Sequence, residues 1–398
     1  MSVTPRARRR LRRLGPVGGV LVIGLAVRAV LVPITHGADF TVWDLASRAT
    51  LDGVNVYAHH PAYSGGPYSY FPLFLYIELP MQWLALHTGM TFTVLGKLPI
   101  VAADLGATLL IVGELSRQQA SERAQAIAAA LFFLNPLVLY NGAFYGRFDS
   151  VALAFLMLVV SLRHAKPAVG WRFALAYALA VAAKTFPVFL LPWLLRLERR
   201  GAPRVLLSVA IVLLAISAPF IITSPSAFAT DLLYSADKLP GALSWQVLLH
   251  GLPAGVQVGI GDVLLGVFVA AAIALTSTED LTVAGAVVMV LFLLLSKQVI
   301  EQYLIWPLPF LVLLAVGHRS RSAWLLVGEL TAAGMLVNAS FHPFGLQPAA
   351  LNVLFAIVVA ATLARLLATE RTRTAAARTL DRLSAPVVRQ NVAAGSSR

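Results

Sequence analysis

Charged residues are scarce in this chain, and several of them are of types that transfer protons or bind anions. Only 12% of the 398 residues are Asp, Glu, Lys or Arg, about half the usual fraction of a soluble domain. A carboxylate could take a proton from a hydroxyl group, and lysine or arginine could stabilise a leaving phosphate. The pattern therefore suits a reaction between an alcohol and a lipid-borne phosphate. The candidate residues are Asp39, Asp44, Arg147, Asp149, Lys184, Lys297, Gln298, Glu301, Gln302 and Tyr303.

Long apolar runs separate these polar stretches and must position them. Hydrophobic residues make up 59% of the chain, and many runs approach the ~20 residues that cross a bilayer. We predict an all-α, polytopic transmembrane helix bundle over residues 14–368, with about 10–12 membrane segments. Basic segments flank it at 1–13 and 369–398. The chain has no cysteine, which excludes disulfides, cysteine–zinc sites and thiol catalysis.

Two apolar stretches do not fit a straight crossing. Residues 71–89 contain Glu78 and Pro80, so we predict that this segment lies in the membrane interface. Each half of the stretch 172–195 is short for a full crossing. We therefore predict a tight helical hairpin with Lys184 near its turn.

The distribution of lysine and arginine then predicts the orientation of the bundle. Basic residues favour the cytoplasmic ends of membrane spans. With the topology above, only four of the 31 lysines and arginines fall on the outer side, namely Arg48, Arg147, Lys238 and Lys297. Both termini are predicted to be cytoplasmic. The candidate residues and the loops 35–70 and 224–258 are predicted to face the periplasmic or extracellular side.

The net charge of +13 has a simple explanation in this topology. It reflects the basic flanks of membrane spans, so we expect a lipid bilayer and no nucleic acid as partner.

Each candidate residue also has a purely structural interpretation. Arg147 and Asp149 could pair with each other. Asp39 could cap the helix that follows it. Lys184 could extend towards lipid headgroups. These alternatives stay open on the residues alone.

Asp104 lies in the middle of a predicted span. Charges at such depth are rare and usually have a specific partner. We expect Asp104 to pair with Arg28 or Lys97 rather than to relay protons.

Six segments in one order along the chain resemble the GT-C superfamily of integral membrane glycosyltransferases. The likeness is nearest to the branch of the glycosylphosphatidylinositol mannosyltransferase catalytic subunit and bacterial polyprenol-phosphate-mannose-dependent relatives. The segments are "ADFTVWDLASRATLDGVNVY", "PYSYFPLFLYIELP", "GKLPIVAADLGATLLI", "NPLVLYNGAFYGRFDS", "AVAAKTFPVFLLPWLL" and "SKQVIEQYLIWPLPFL".

The resemblance implies a hexosyltransferase in a bacterial plasma membrane. The donor would be a sugar on a polyprenyl phosphate, with mannose the leading candidate and arabinose, glucose and galactose as alternatives. The acceptor would be a hydroxyl group of a cell-envelope glycan or lipid. It would attack the anomeric carbon with inversion of configuration.

The resemblance also implies roles for single residues. Asp39 matches the first-loop acid of the family and would be the general base. Relatives often carry D-x-D there, whereas this chain has Gly37 at the first position. No cofactor is therefore expected, although a divalent metal is not excluded.

The remaining candidates would contact substrates, with Asp44 included among them. Arg147 and Asp149 would orient the sugar or the acceptor, and Lys184 would bind the donor phosphate. The later polar turn, with Lys297, Gln298, Glu301, Gln302 and Tyr303, would contact the phosphate or the sugar.

Two other functions are compatible with the sequence. A secondary transporter would need paired broken helices in two related halves, and only the 172–195 hairpin offers such a feature. A catalytically inactive flippase or binding protein for lipid-linked sugars is the second alternative, and the presence of Asp39 argues against it.

Overall fold

The computed structural model describes residues 5–59, 67–165, 169–197, 199–234, 238–241, 243–276, 280–339 and 351–370. Helices are the only regular elements in these ranges. The predicted basic tail beyond residue 370 and the start of the predicted N-terminal segment lie outside the described residues.

Most helices follow one another with short connections, whereas 21 residues separate α2 from α3. The α-helices are α1 (Pro5–Leu31), α2 (Ala38–Leu51), α3 (Leu73–Thr88), α4 (Phe92–Leu95), α5 (Leu98–Arg117), α6 (Glu122–Phe133), α7 (Pro136–Leu139), α8 (Asp149–Ala165), α9 (Trp171–Ala183), α10 (Leu191–Leu197), α11 (Ala202–Thr223), α12 (Pro225–Leu233), α13 (Ala254–Leu275), α14 (Leu281–Leu295), α15 (Leu308–Val316), α16 (Arg321–Ala339) and α17 (Leu351–Glu370). Three 3-10 helices (Phe186–Leu190, Trp245–Leu249, Glu301–Ile305) and a π-helix (Tyr140–Tyr145) complete the set.

Several helices are long and apolar enough to cross a membrane. Within the described ranges there are four, namely Phe92–Arg117, α11, α13 and α17, or five if the bent pair Glu122–Phe133 and Pro136–Tyr145 is one span. Five shorter apolar helices accompany them. The prediction of an all-α chain with several membrane-spanning helices is confirmed for this part of the chain. The full number of segments, the domain bounds and the orientation of the termini stay predictions.

The apolar stretch 125–143 is not one straight helix. It bends by 45° between α6 and the helical segment that follows. The side chain of Asn135 accepts a hydrogen bond from the N–H of Leu137 (3.0 Å), and Pro136 occupies the first turn of α7. Proline supplies no N–H and fits the first turn of a helix, so this pair ends one helix and begins the next.

The predicted hairpin at 172–195 is a helix, a turn and a short second helix. α9 ends at Ala183, and Lys184 is extended with φ −157°. The hydroxyl of Tyr177 donates to the carbonyl of Pro187 (2.8 Å), which brings the turn back onto α9. The turn thereby presents Lys184 at one end of the bundle.

A buried ion pair joins three helices below that end. Arg28 of α1 donates to one carboxylate oxygen of Asp104 on α5 through Nε (3.1 Å) and Nη2 (2.9 Å). The hydroxyl of Ser150 on α8 donates to the other oxygen. Of the two partners expected for Asp104, Arg28 is the one that the structure provides. The pair fixes α1, α5 and α8 relative to one another.

α8 gives the bundle two ends. It begins at Asp149, and His164 lies fifteen positions later, about 22 Å away at 1.5 Å per residue. We call the end that contains Asp149 the site end. The other end is called the basic end, because Arg117 reaches it and donates to the carbonyl of Ser161 (2.9 Å).

Candidate active site

Arg147 is the centre of a network of polar side chains at the site end. Its Nε donates to Oδ2 of Asp39 (3.3 Å), and its Nη1 lies 2.6 Å from Oε1 of Glu301. Nη1 also donates to the side-chain oxygen of Asn141 (3.1 Å). The guanidinium carbon lies 4.2 Å from the ring centre of Tyr145. Three segments that are distant in sequence therefore meet at one arginine.

The charges around Arg147 keep it ionised. Burial alone would lower the pKa of its guanidinium, but the carboxylates of Glu301 and Asp39 outweigh burial and raise that pKa above its usual value. Arg147 thus pairs with Asp39 and Glu301, and Asp149 has partners of its own. The simple pairing of Arg147 with Asp149 is not what the structure has.

Asp149 is buried, and both of its oxygens are occupied. Lys184 Nζ donates to Oδ2 (2.7 Å), and the indole Nε1 of Trp306 donates to Oδ1 (2.6 Å). Such charge-assisted hydrogen bonds are strong and hold their partners in one geometry. Asp149 therefore orients a lysine and a tryptophan at the site end.

Lys184 is buried at the turn after α9. Its ammonium group lies 5.0 Å from the ring centre of Phe148 and 5.6 Å from that of Tyr70. Because the side chain is enclosed by an acid and aromatic rings, it does not extend to lipid headgroups. The alternative role at the membrane surface is wrong.

Asp39 is the carboxylate of this network that solvent reaches best. Its side chain is 39% exposed, against 10% for Glu301 and 0% for Asp149. It lies in the first turn of α2, whose cap residue is Gly37. The interpretation of Asp39 as a helix cap is therefore wrong, and its side chain faces Arg147 instead.

Two glycines allow the start of α2 to lie against the π-helix. The N–H of Gly37 donates to the carbonyl of Tyr145 (2.8 Å). A Cβ at Gly37 would lie 1.7 Å from the side-chain ring of Tyr145, so no larger residue fits there. Gly146 has φ +87°, and a Cβ there would lie 2.3 Å from Phe40. A π-helix is rare and often marks a functional site. Here it carries Asn141, which accepts a hydrogen bond from Arg147, the partner of Asp39.

Lys97, the residue that directly precedes α5, fixes the same junction. Its ammonium group donates to the carbonyls of Val32 (3.0 Å), Ala143 (3.1 Å) and Phe144 (2.7 Å), and also to that of Thr35. One buried cation thus ties the segment after α1 to the π-helix.

Three of the predicted residues lie apart from this network. Asp44 is about 140° around α2 from Asp39 at 100° per residue, and it faces Arg48 at 3.6 Å. Lys297 Nζ lies 3.2 Å from Asp262, and Gln298 donates to the carbonyl of Leu239. Their predicted roles stay predictions.

Gln302 and Tyr303 lie beside the network. Gln302 is buried in the 3-10 helix that carries Glu301. The ring of Tyr303 lies 4.1 Å from that of Trp306, whose indole holds Asp149.

Sequence reasoning missed Asn141 and Trp306 as site residues. Asn141 lies in the π-helix, and nothing in the amino-acid composition predicts a π-helix there. Trp306 follows Glu301 by five positions in the segment "SKQVIEQYLIWPLPFL", and its place in that segment could have indicated a role at the site. Lys238 was noticed only as an outer cation. It lies over Tyr234 (4.2 Å), and its charge interacts with that of Asp39.

The network combines two cations, Arg147 and Lys184, with three carboxylates. Within the described ranges, no three His, Asp or Glu side chains come together in a way that could hold a metal ion. Asp39, Glu301 and Asp149 are instead each paired with Arg147 or Lys184.

The comparisons with known proteins give one match. Residues 68–297 match the model of glycosyltransferase family 87, which is more than half of the chain. The matched range contains Arg147, Asp149 and Lys184, whereas Asp39 and Glu301 lie outside it. A search of curated proteins finds no match.

Proposed function

The chain belongs to glycosyltransferase family 87, a family of GT-C-type membrane glycosyltransferases, and we propose that it transfers a sugar from a polyprenyl phosphate to a hydroxyl group. The donor sugar in this proposal is mannose. The acceptor is a glycan or lipid of the cell envelope. The reaction inverts the configuration at the anomeric carbon.

The exposure of Asp39 is the observation that supports this function best. It is the most exposed carboxylate of the network, and its partner Arg147 also contacts Glu301. Asp149 is enclosed and holds two donors already. A general base needs access to the proton that it removes, so Asp39 fits the role and Asp149 does not.

The proposed step breaks one bond and forms one. The acceptor oxygen attacks the anomeric carbon while its proton passes to the carboxylate of Asp39. The bond between that carbon and the phosphate oxygen breaks, and the electron pair leaves with the polyprenyl phosphate.

Arg147 and Lys184 serve the leaving group in this proposal. Arginine carries five N–H donors, and the contacts of Arg147 with protein groups use Nε and Nη1. We propose that its Nη2 group donates to the donor phosphate. Lys184, which donates to Asp149, supplies a second positive charge.

The charge distribution supports an orientation in the membrane. We propose that the basic end faces the cytoplasm and the site end faces outside, since basic residues favour the cytoplasmic side. The bundle over 14–368 would then lie in the plasma membrane with both termini cytoplasmic.

The test is a transfer assay with a matched control. Wild type, Asp39→Asn and Asp52→Asn, an exposed acid at the end of α2, are purified in nanodiscs and given a panel of radiolabelled polyprenyl-phosphate sugars. A membrane-lipid extract supplies the acceptor, and EDTA is included in a parallel set. We expect transfer of mannose that survives EDTA, falls by about 10²–10⁴ in Asp39→Asn and is unchanged in Asp52→Asn.

The outcomes separate the parts of the proposal. Transfer of another sugar would overturn only the donor specificity, and loss with EDTA would overturn the metal-free chemistry. Turnover of no donor, or full activity of Asp39→Asn, would contradict the proposed reaction or its base.

A further inference from the structure

An apolar groove runs along the bundle between α10 and α13. It encloses about 650 Å³. Its walls are Val188, Phe189, Leu195, Phe268, Val269 and Ile273. The rings of Phe189 and Phe268 meet edge to face at 5.3 Å in its wall. α13 is one of the helices long and apolar enough to span the membrane, so the groove opens towards lipid.

The groove ends at arginines. Arg196 and Arg199 line it where α10 and α13 both end. Arg196 donates to the carbonyl of Ile273, which places its guanidinium across the end of the groove. The surroundings are basic as well, because residues 196–204 contain four arginines and one glutamate, a net charge of +3.

We propose that this groove binds an anionic phospholipid. One acyl chain would lie along the apolar walls, and the phosphate would contact Arg196 and Arg199. Arginine matches phosphate oxygens in both geometry and charge. Basic pockets between membrane helices are a recognised kind of lipid headgroup site.

The dimensions of the groove agree with a lipid in one leaflet. Seven residues separate Phe189 from Arg196, which is about 10 Å along a helix. One leaflet of the hydrocarbon core is about 15 Å thick. An acyl chain therefore fits beside α10 with its headgroup at the arginines.

This site is distinct from the candidate active site. Arg196 lies at the end of α10, which begins after the turn that carries Lys184, so the two phosphate positions belong to opposite ends of the chain segment 184–197. The donor phosphate is proposed at Lys184 and Arg147. Binding of a phospholipid here requires only that the bundle is inserted in a membrane, and it does not depend on the proposed reaction.

The test is binding of defined lipids to the purified protein. Delipidated wild type in detergent is titrated with phosphatidylglycerol, with phosphatidylcholine of the same chains and with inorganic phosphate, and the melting temperature is followed. Native mass spectrometry counts the lipids retained. We expect phosphatidylglycerol to raise the melting temperature at lower concentration than phosphatidylcholine, and inorganic phosphate to have no effect, since ligands of the folded state stabilise it.

Two variants and one control locate the site. Arg196→Gln with Arg199→Gln removes the headgroup contacts, and we expect about tenfold weaker binding or more. Val269→Phe fills the groove but keeps both arginines, and it should also lose the lipid. Arg123→Gln with Arg321→Gln removes two exposed arginines from other helices and should bind as wild type does.

Several results would overturn the proposal. Equal stabilisation by the two lipids would show that the charge has no role. Equal loss in the Arg123/Arg321 control would show a general effect of net charge. Stabilisation by inorganic phosphate alone would show that the arginines bind an anion and that the apolar groove has no part in binding. Unchanged lipid binding by Val269→Phe would place the lipid elsewhere on the protein.

Discussion

Two sets of opposite charges lie near the start of α8 and differ in how completely they are enclosed. In the inner set, both oxygens of Asp104 are occupied by Arg28 and Ser150, and the whole pair is enclosed. In the outer set, Arg147 is shared between Asp39 and Glu301, and Asp39 remains open to solvent. The comparison shows that the two carboxylates differ in accessibility, and we infer that this difference separates the proposed base, Asp39, from the structural Asp104.

The first turn of α8 connects the two sets. Asp149 contacts Lys184 and Trp306 at the site end, and the next residue, Ser150, donates to Asp104 below. Asp149 and Ser150 thus belong to different networks although they are neighbours in sequence.

The inner pair should give the largest effect on stability. Arg28→Met leaves the carboxylate of Asp104 buried without its cation, and breaking such a pair costs about 3–5 kcal/mol. Thermal unfolding in detergent should show a strongly lowered melting temperature. The double variant Arg28→Met, Asp104→Leu should recover much of the loss, because no unpaired charge remains. If the double variant were no better than the single one, the inner pair would not be the simple structural pair described above.

The junction between α2 and the π-helix should give the next largest effect, on activity. Gly146→Ala forces a Cβ onto Phe40 and moves Arg147, and a displacement of about 1 Å at a site can lower the rate about 10²-fold. Gly53→Ala is the matched control, since Gly53 also has a positive φ (+79°) and nothing lies within 4 Å of its Cβ position. Transfer rates per folded molecule should fall only in Gly146→Ala. Equal losses of transfer rate in Gly146→Ala and Gly53→Ala would mean that backbone strain, and not the contact with Phe40, causes the effect.

The indole that holds Asp149 should give a smaller effect. Trp306→Phe keeps the stack on Phe186 (4.1 Å) but removes the donor to Oδ1, which costs about 1–3 kcal/mol and so about tenfold in rate or more. Trp245→Phe removes a similar bond, to the carbonyl of Leu294 (2.8 Å), away from Asp149. We expect that control to transfer sugar normally in the same assay. A normal rate in Trp306→Phe would mean that Asp149 needs only Lys184.

A partly exposed pair at the basic end should give the smallest effect, and it depends on pH. The Nδ1 atom of His164 lies 2.7 Å from Oε1 of Glu114, and this hydrogen bond raises the pKa of His164. Because the pKa of His164 is higher in the folded protein than the value of about 6.5 in the unfolded chain, the pair stabilises the fold fully below about pH 6.5. This stabilisation is lost as the pH rises through the pKa of the folded state. His164→Gln should therefore lower the melting temperature at about pH 6, and the difference should shrink towards about pH 9. A difference that grew with pH would contradict the assignment.

The architecture was predictable because it depends on composition and length. Apolar runs of bilayer length predict helices, and a charge such as Asp104 within such a run predicts a partner. The sequence also indicated that Arg147, Asp149 and Lys184 would be found at one end of the bundle, where the structure brings them together.

The pairing of these charges was not predictable from the sequence. The break at Pro136 and the π-helix after it set the direction in which Arg147 points, and both depend on packing across distant segments. Neighbours in sequence suggested that Arg147 pairs with Asp149. The partners are in fact Asp39 and Glu301, which are far away along the chain.

The most direct test of the account exchanges one carboxylate in each set for its amide. Asp39→Asn and Asp104→Asn are compared with wild type for sugar transfer per folded molecule and for melting temperature. We predict that Asp39→Asn loses transfer by about 10²–10⁴ with little change in melting temperature. Asp104→Asn should unfold at a lower temperature and keep most of its transfer activity when folded. Full activity of Asp39→Asn, or loss of transfer in Asp104→Asn with unchanged stability, would contradict the division of the two sets.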